Sequence, residues 1–406
     1  MSKPISIPNF LAKSGLMPQE ETLAIPYRSH NLFIGLPKES STNENRVALV
    51  PASVATLVAA GHRIVIEMGA GERSKFTDLE YSEAGAEIAY SQEEVFRADI
   101  ILKVAPIHID DVDYLRPNQI VVAPIHVPTL THEIITRLKQ KRVIAVAMDY
   151  IKDVSGAFPF IRAVSEIAGI SAVLTAAELL SNAANGRGVL LGGISGVPSA
   201  KVVIIGAGVV AECAARTALG LGAEVHIFDN NIYKLMRIQH HLNRQMFTST
   251  LNPKVLEQDI INADVVIGAL HSKTGRTPVV VSETTISKMR RGAIIIDASI
   301  DQGGVFATSR ITSHEKPTFT VHDVIHYCVP NIASRVSQTS STAVSNILTP
   351  MLFQVSDAGS FESLIIDDLG FRSGVYTYKG CLTNQHIGER FQMKSTELSL
   401  LLTNSF

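Results

Sequence analysis

One stretch near the middle of the chain limits the fold more than any other. The apolar run KVVII (201–205) ends in GAGVVA (206–211), the helical pattern AECAARTALGLGA continues from there, and the next apolar run, EVHIF, ends at Asp229. In such a G-x-G-x-x-G/A turn Gly206 permits the tight bend. Gly208 lets the backbone approach a pyrophosphate, and Ala211 is small enough for the helix to pack on the strand. The start of the helix presents unpaired N–H groups and the positive end of its dipole to an anion held above the turn. Asp229 stands at about the 20-residue separation at which an acid accepts hydrogen bonds from the ribose hydroxyls and repels a 2′-phosphate, so NAD is expected rather than NADP. A glycine turn or a strand-ending acid alone also occurs in α/β proteins that bind no nucleotide. The order strand, turn, helix, strand, acid is what gives the reading its weight.

The same alternation runs through most of the chain. From Leu32 to Tyr150 the apolar runs LFIGL, RIVIEMG, ADIILKVA, QIVVAPIHV and VIAVAMD alternate with helical patterns such as PASVATLVAAG and PTLTHEIITRLKQ. Strands and helices in alternation imply a parallel sheet. A long Ala/Leu-rich stretch, SEIAGISAVLTAAELLSN (165–182), has the length of a connecting helix, and the glycine-crowded NGRGVLLGGISGVPSA after it reads as a loop or flap. A second alternation follows in KVVIIGAG, EVHIFD, ADVVIGAL, GAIIIDASI and TFTVHDV, after which SSTAVSNILTPMLFQV returns to helical character. The expected fold is α/β: two Rossmann-like, doubly wound parallel-sheet domains, the cofactor domain inserted into a discontinuous substrate domain. The expected divisions are an arm over residues 1–30, a substrate domain over 31–160 and 338–406, and an NAD-binding domain over 161–337.

At 406 residues the chain is long enough for two such domains, and 46% hydrophobic against 18% charged residues suits buried cores. A formal charge of −2 offers no basic excess for phosphate backbones or anionic membranes, so a small molecule is the expected partner, with no nucleic acid and no membrane. Cys213, Cys328 and Cys381 lie far apart, without metal-ligand spacing, which favours a reducing cytoplasmic setting and no metal. The first 30 residues carry Pro4, Pro8, Pro18 and Pro26 and no apolar stretch suited to a signal peptide. The uncharged part of 336–356 is rich in Ser, Thr, Asn and Gln and reads as an amphipathic helix. The tail STELSLLLTNSF (395–406) reads as a final helix packing on a core.

The run GLPKESSTNENRVALVP (35–51) resembles the N-terminal signature shared by alanine dehydrogenases and the cofactor domain of transhydrogenases. The resemblance continues through MGAG, ILKV, SEIAG, GRGVLLGG, the glycine turn, DASIDQGG and VHDVIHYCVPN, and so covers most of residues 32–350. It implies reversible, NAD-dependent oxidative deamination of L-alanine to pyruvate and ammonium. It also implies that Arg46 binds the substrate carboxylate, a task a planar guanidinium performs bidentately. Lys103 corresponds to the family lysine that holds substrate oxygens; a lysine ending a buried strand also needs an anionic partner. His126 matches the catalytic acid/base, a role suited to a side chain that titrates near neutrality. Asp301, in DASIDQGG, matches the aspartate beside the nicotinamide, with Asp297 the competing position and a candidate for simple capping.

Weaker correspondences place Ser165, Lys234, Leu270 and Asn331 around the cofactor. The chain departs from the family pattern at Val50, at Val104 and Ala105 after the lysine, at Pro124 and Ile125 before the histidine, and at Ile332, where methionine is usual. Family members are typically hexamers, which is the expectation here. Rival readings are a transhydrogenase-type NAD(H)-binding domain that passes hydride to a partner protein, a dehydrogenase of the saccharopine/lysine type, and a non-catalytic dinucleotide sensor.

Overall fold

The computed structural model describes residues 30–125, 129–272 and 276–403. Among them the chain forms two sheets. The first contains β1 (Phe33–Leu36), β2 (Arg63–Glu67), β3 (Glu87–Ala89), β4 (Ile100–Leu102), β5 (Ile120–Ala123) and β6 (Ile144–Ala147). The second contains β7 (Lys201–Ile205), β8 (Glu224–Phe228), β9 (Phe247–Ser249), β10 (Val265–Gly268), β11 (Ile294–Asp297), β12 (Thr318–Val321) and β13 (Val324–Tyr327). The chain then returns to add β14 (Val375–Tyr378) and β15 (Cys381–Leu382) to the first sheet.

Both sheets share one winding. The first runs β15-β14-β6-β5-β4-β1-β2-β3 and the second β12-β13-β11-β10-β7-β8-β9, so in each the chain starts at the centre, winds to one side, and crosses to the other. The crossing points lie between β1 and β4, and between β7 and β10. There the helices flanking the sheet diverge and leave a crevice beyond the strand ends, where open α/β sheets bind ligands. Pairing is parallel except at one edge of each sheet, where β14, β15 and β12 are antiparallel. The central strands are buried on both faces, in keeping with uninterrupted runs such as KVVII and AIIID.

Beyond the expected strands the structure adds β3, β9, β13, β14 and β15. TFTVHDV turns out to be one arm of an antiparallel pair with VIHY. The connecting helix runs over Pro159–Leu179, starting six residues before its Ala/Leu-rich stretch, because Pro159 supplies a first helical residue whose missing N–H costs nothing. Among the described residues it is the one helix long and apolar enough to cross a membrane. It packs closely on the helix Val209–Gly220, at a point where a Cβ on Gly169 would strike the Val210 carbonyl and the Cys213 side chain. The Ser337–Asp357 helix carries the chain back and seats Val344, Leu348, Leu352 and Val355 in the core of the first sheet, beside Leu398 and Leu402 of the tail.

Candidate active site

The cofactor candidates gather at the C-terminal ends of β7, β8, β10 and β11. Gly206 has φ +120°, a conformation side chains rarely adopt, and a Cβ on it would run into the Ala269 carbonyl oxygen. Gly208 caps the following helix with no side-chain hydrogen bond, and a Cβ on it would meet nothing within 4 Å. The first turn of that helix therefore keeps its N–H groups for an incoming anion. Ala211 is buried between helix and strand. Asp229 is buried just past β8, one oxygen accepting from Ala207 N at 2.8 Å and the other from Asn231 N at 2.7 Å. The acid thus braces the glycine turn, and these glycines and this carboxylate fit a dinucleotide.

The remaining cofactor candidates sit as follows. Ser165 is half-buried in the connecting helix, one turn before Gly169 and on the same face, which points to the glycine-turn helix. Lys234 is exposed in the helix after β8. Leu270 follows β10, and its carbonyl accepts from Ser299 Oγ at 2.7 Å. Asn331 has φ +57° at the exit from β13.

After β11 the two aspartates divide into different jobs. Asp297 is buried and accepts from Ser299 N (3.0 Å), Val305 N (3.0 Å) and Ser309 Oγ (2.6 Å), so it shapes the loop. Burial pushes its pKa up despite those donors. Asp301 lies exposed in the turn Ile300–Gln302 that this loop supports.

The substrate candidates line the ends of β1 and β4. Arg46 is buried, and its Nε and Nη2 both pair with Glu44 at 2.7 Å while Nη2 also reaches the Val104 carbonyl at 3.3 Å. Nη1 takes part in none of these bonds. Burial opposes the charge, but Glu44, helped by Glu39 and Asp149, outweighs it and holds the guanidinium above its ordinary pKa. Lys103, 2% exposed, donates to Glu39 at 2.8 Å and lies 3.4 Å from Asp111. The anion that a buried strand-end lysine requires is therefore supplied by the chain itself. Glu39 also accepts from Val104 N at 2.7 Å and Ala105 N at 3.1 Å, which ties the loop after β1 to the loop after β4. Burial again opposes the charge on Lys103, and the two carboxylates together raise its pKa.

His126 lies outside the described residues. Its neighbour Ile125 donates its N–H to both oxygens of Asp149, at 3.2 and 3.1 Å. Burial lifts the Asp149 carboxyl to about 7, against the pull of Ile125 N–H and Arg46. Asp149 ends the run VIAVAMD and, with Glu39, Glu44 and Asp111, belongs to the site without having been singled out from the sequence. Only its strand-ending position hinted at it.

Two doubly wound sheets, one ending in a tight glycine turn followed by a buried acid and the other in the buried cations Arg46 and Lys103, form the framework of a two-domain dehydrogenase. The family model for the N-terminal domain of alanine dehydrogenase/PNT matches residues 35–168, and that for the C-terminal domain matches 172–385. The chain belongs to the alanine dehydrogenase/PNT family. Among its relatives, alanine dehydrogenase 2 of Staphylococcus aureus (strain USA300) is 36% identical over 91% of this chain and 100% of its own length. The alanine dehydrogenase of Staphylococcus saprophyticus is also 36% identical over 91% of this chain. A solved L-alanine dehydrogenase matches with a TM-score of 0.82 at 34% identity, covering 88% of this chain and 99% of that one. A transhydrogenase from Sinorhizobium meliloti shares the fold, with a TM-score of 0.73, 24% identity, and coverage of 87% and 99%.

Proposed function

We infer that the chain is an NAD-dependent alanine dehydrogenase that interconverts L-alanine with pyruvate and ammonium. The observation that carries this is the pairing of a dinucleotide-type glycine turn and acid in one sheet with a buried, pre-oriented Arg46 in the other. The similarity to alanine dehydrogenases over nine-tenths of the chain supports it. The transhydrogenase-type alternative has weaker support, since the solved transhydrogenase is 24% identical to this chain against 34–36% for the alanine dehydrogenases.

Gly206, Gly208 and the N–H groups at the start of the Val209–Gly220 helix would hold the pyrophosphate, Ala211 the helix packing, and Asp229 a ribose. Ser165, Lys234, Leu270 and Asn331 would complete the surroundings. NAD, when bound, supplies the acceptor for the substrate's α-hydrogen as hydride. Arg46 is proposed to meet the substrate carboxylate through its Nη1 end, because Glu44 already holds the Nε/Nη2 edge and fixes the guanidinium plane. Lys103, held by Glu39, would orient the substrate's carbonyl oxygen. His126 would take the proton from the attacking water's oxygen and return one to the departing amine nitrogen, with Asp301 sharing that traffic.

On the same basis we place the enzyme in the cytoplasm, in keeping with Cys213, Cys328 and Cys381, none of which forms a disulfide. We also take it to be a homo-hexamer. The supporting feature is the exposure, in the single chain, of Ile170 and Leu174 on one face of the connecting helix and of Leu190, Ile194 and Val197 in the glycine-rich loop after it. The working domain division remains 31–160 with 338–406, and 161–337, in line with the strand membership of the two sheets.

The test of the site is to compare Arg46→Ala and His126→Ala with the parent chain for turnover of L-alanine, L-serine, glycine and L-lysine, while measuring NADH binding by fluorescence. The assignment requires alanine turnover to fall at least about 100-fold in both variants, the size of effect typical for losing a charged hydrogen bond or an acid/base group. NADH binding should be unchanged. Variants with near-parental turnover would refute the roles given to these residues.

A further inference from the structure

Glu44 carries more contacts than the pairing of Arg46 requires. The residue is 4% exposed. One carboxylate oxygen accepts from Arg46 N (3.0 Å), Arg46 Nε (2.7 Å) and Ser334 Oγ (3.3 Å), and the other accepts from Arg46 Nη2 and Asn331 Nδ2, both at 2.7 Å. Arg46 and Glu44 belong to the loop after β1 in the first sheet, whereas Asn331 leaves β13 in the second. The Glu44 carboxylate is therefore the shared acceptor through which one sheet's substrate cation touches the other sheet's strand end.

The surroundings leave the carboxylate little freedom to choose between partners. Asn45 N donates to Ser334 Oγ at 2.7 Å, Val47 N to Ser341 Oγ at 3.0 Å, and His314 N to Asn43 Oδ1 at 3.2 Å. Arg73 Nη1 holds the Glu44 carbonyl at 3.1 Å. Asn331 itself is held at φ +57°, an unusual conformation for a side-chain-bearing residue, so its amide is aimed by its backbone. A buried carboxylate with fixed neighbours on both sides transmits any shift of one to the other, since losing either donor would leave its charge poorly compensated in a low-dielectric site.

We propose that Glu44 is a positioning residue that couples the two binding sites: dinucleotide held beside Asn331 sets, through Glu44, the orientation of Arg46 toward the substrate carboxylate. This rests on the cofactor and substrate assignments made above. The consequence is thermodynamic. Dinucleotide and carboxylate ligand should each raise the other's affinity by the same factor, and Glu44 should be the route.

The test uses the full chain and a non-reacting pair, NAD with pyruvate, titrated by calorimetry. Pyruvate affinity is measured with and without saturating NAD, and NAD affinity with and without saturating pyruvate. In the parent the two ratios should agree and lie at roughly 5- to 150-fold, the usual range for coupled sites. In Glu44→Gln, which puts an amide donor against the Arg46 and Asn331 donors, the ratio should fall to within about twofold of one. Asn331→Ala, which leaves the Glu44–Arg46 pair intact, should lose the same coupling, and the double variant should lose no more, as expected of groups acting in one chain of contacts.

A Glu44→Gln variant that binds pyruvate more weakly yet keeps the parental ratio would overturn the proposal and leave Glu44 as a local counter-ion of Arg46. So would a parental ratio of one. Absence of NAD binding in the parent would instead bring down the cofactor reading on which the proposal stands, a result distinguishable because that titration contains no pyruvate.

Discussion

Asp149 and Lys103 show how far apart a residue's type and its environment can be. Burial lifts the Asp149 carboxyl to about 7 from an ordinary 3.8, so between those values the folded chain keeps a proton that the unfolded chain has released. Folding is therefore increasingly penalised as pH rises through that window, and the penalty is constant above it. Asp149→Asn stays neutral throughout. Its urea midpoint relative to the parent should rise between about pH 4 and pH 8; a difference that does not change with pH would show that the carboxyl titrates normally. Lys103 presents the opposite case, a charge retained because Glu39 and Asp111 surround it. Lys103→Met would strand two buried carboxylates and should cost roughly 3–5 kcal/mol in urea unfolding, with Glu39→Gln in the same chain restoring part of the loss. A loss below about 1 kcal/mol would mean that the acids find water in place of the lysine. At this scale the sequence made the cations legible, since Arg46 stands in a long motif and Lys103 ends an apolar run. Their counter-ions were not legible: Glu44 stands only two residues from Arg46 but nothing in the motif showed its carboxylate turned onto the guanidinium, and Glu39 and Asp149 reach Lys103 and Arg46 from loops that meet only after folding.

The elements divide in the same way. Strands buried on both faces announce themselves as runs of Val and Ile, and β1, β2, β4 to β8, β10 and β11 all coincide with such runs. The strands that escaped notice are short or lie toward the sheet edges: β3 is EIA, β9 is FTS and β15 is CL, too brief for any periodicity, and they owe their conformation to the neighbour they pair with. The SEIAG stretch was legible as helix, but the reason for its glycine was not. Gly169 allows the connecting helix to lie against the backbone of the glycine-turn helix. Gly169→Ala should push the two helices apart and lower stability by about 1–3 kcal/mol, the usual cost of overpacking, with a parallel loss of NAD affinity as the turn shifts. Unaltered unfolding and unaltered binding would mean that the contact relaxes without consequence.

At the scale of the whole molecule the first sheet is discontinuous in sequence, so pairs of residues 294 and 295 positions apart meet at the loop that carries Arg46. On the return helix Ser337–Asp357 the Ser341 and Ser345 hydroxyl oxygens accept from the N–H groups of Val47 and Val50, so the returning chain fixes the loop that carries Arg46. The double winding was readable from the alternation of strand and helix; the addition of β14 and β15 to the first sheet was not, since VYTY follows a helical stretch with no turn signal specific to one partner. The exposed Ile170 and Leu174 belong to this scale as well. Ile170→Glu with Leu174→Glu should reduce the mass measured by light scattering from that of the proposed hexamer to a smaller species, whereas an unchanged mass would place the subunit contacts elsewhere. The most direct measurement of the central claim is the appearance of NADH absorbance when the purified chain is given NAD and L-alanine. The account predicts steady NADH formation that requires both and is accompanied by equimolar pyruvate; cofactor binding without NADH formation from L-alanine would contradict it.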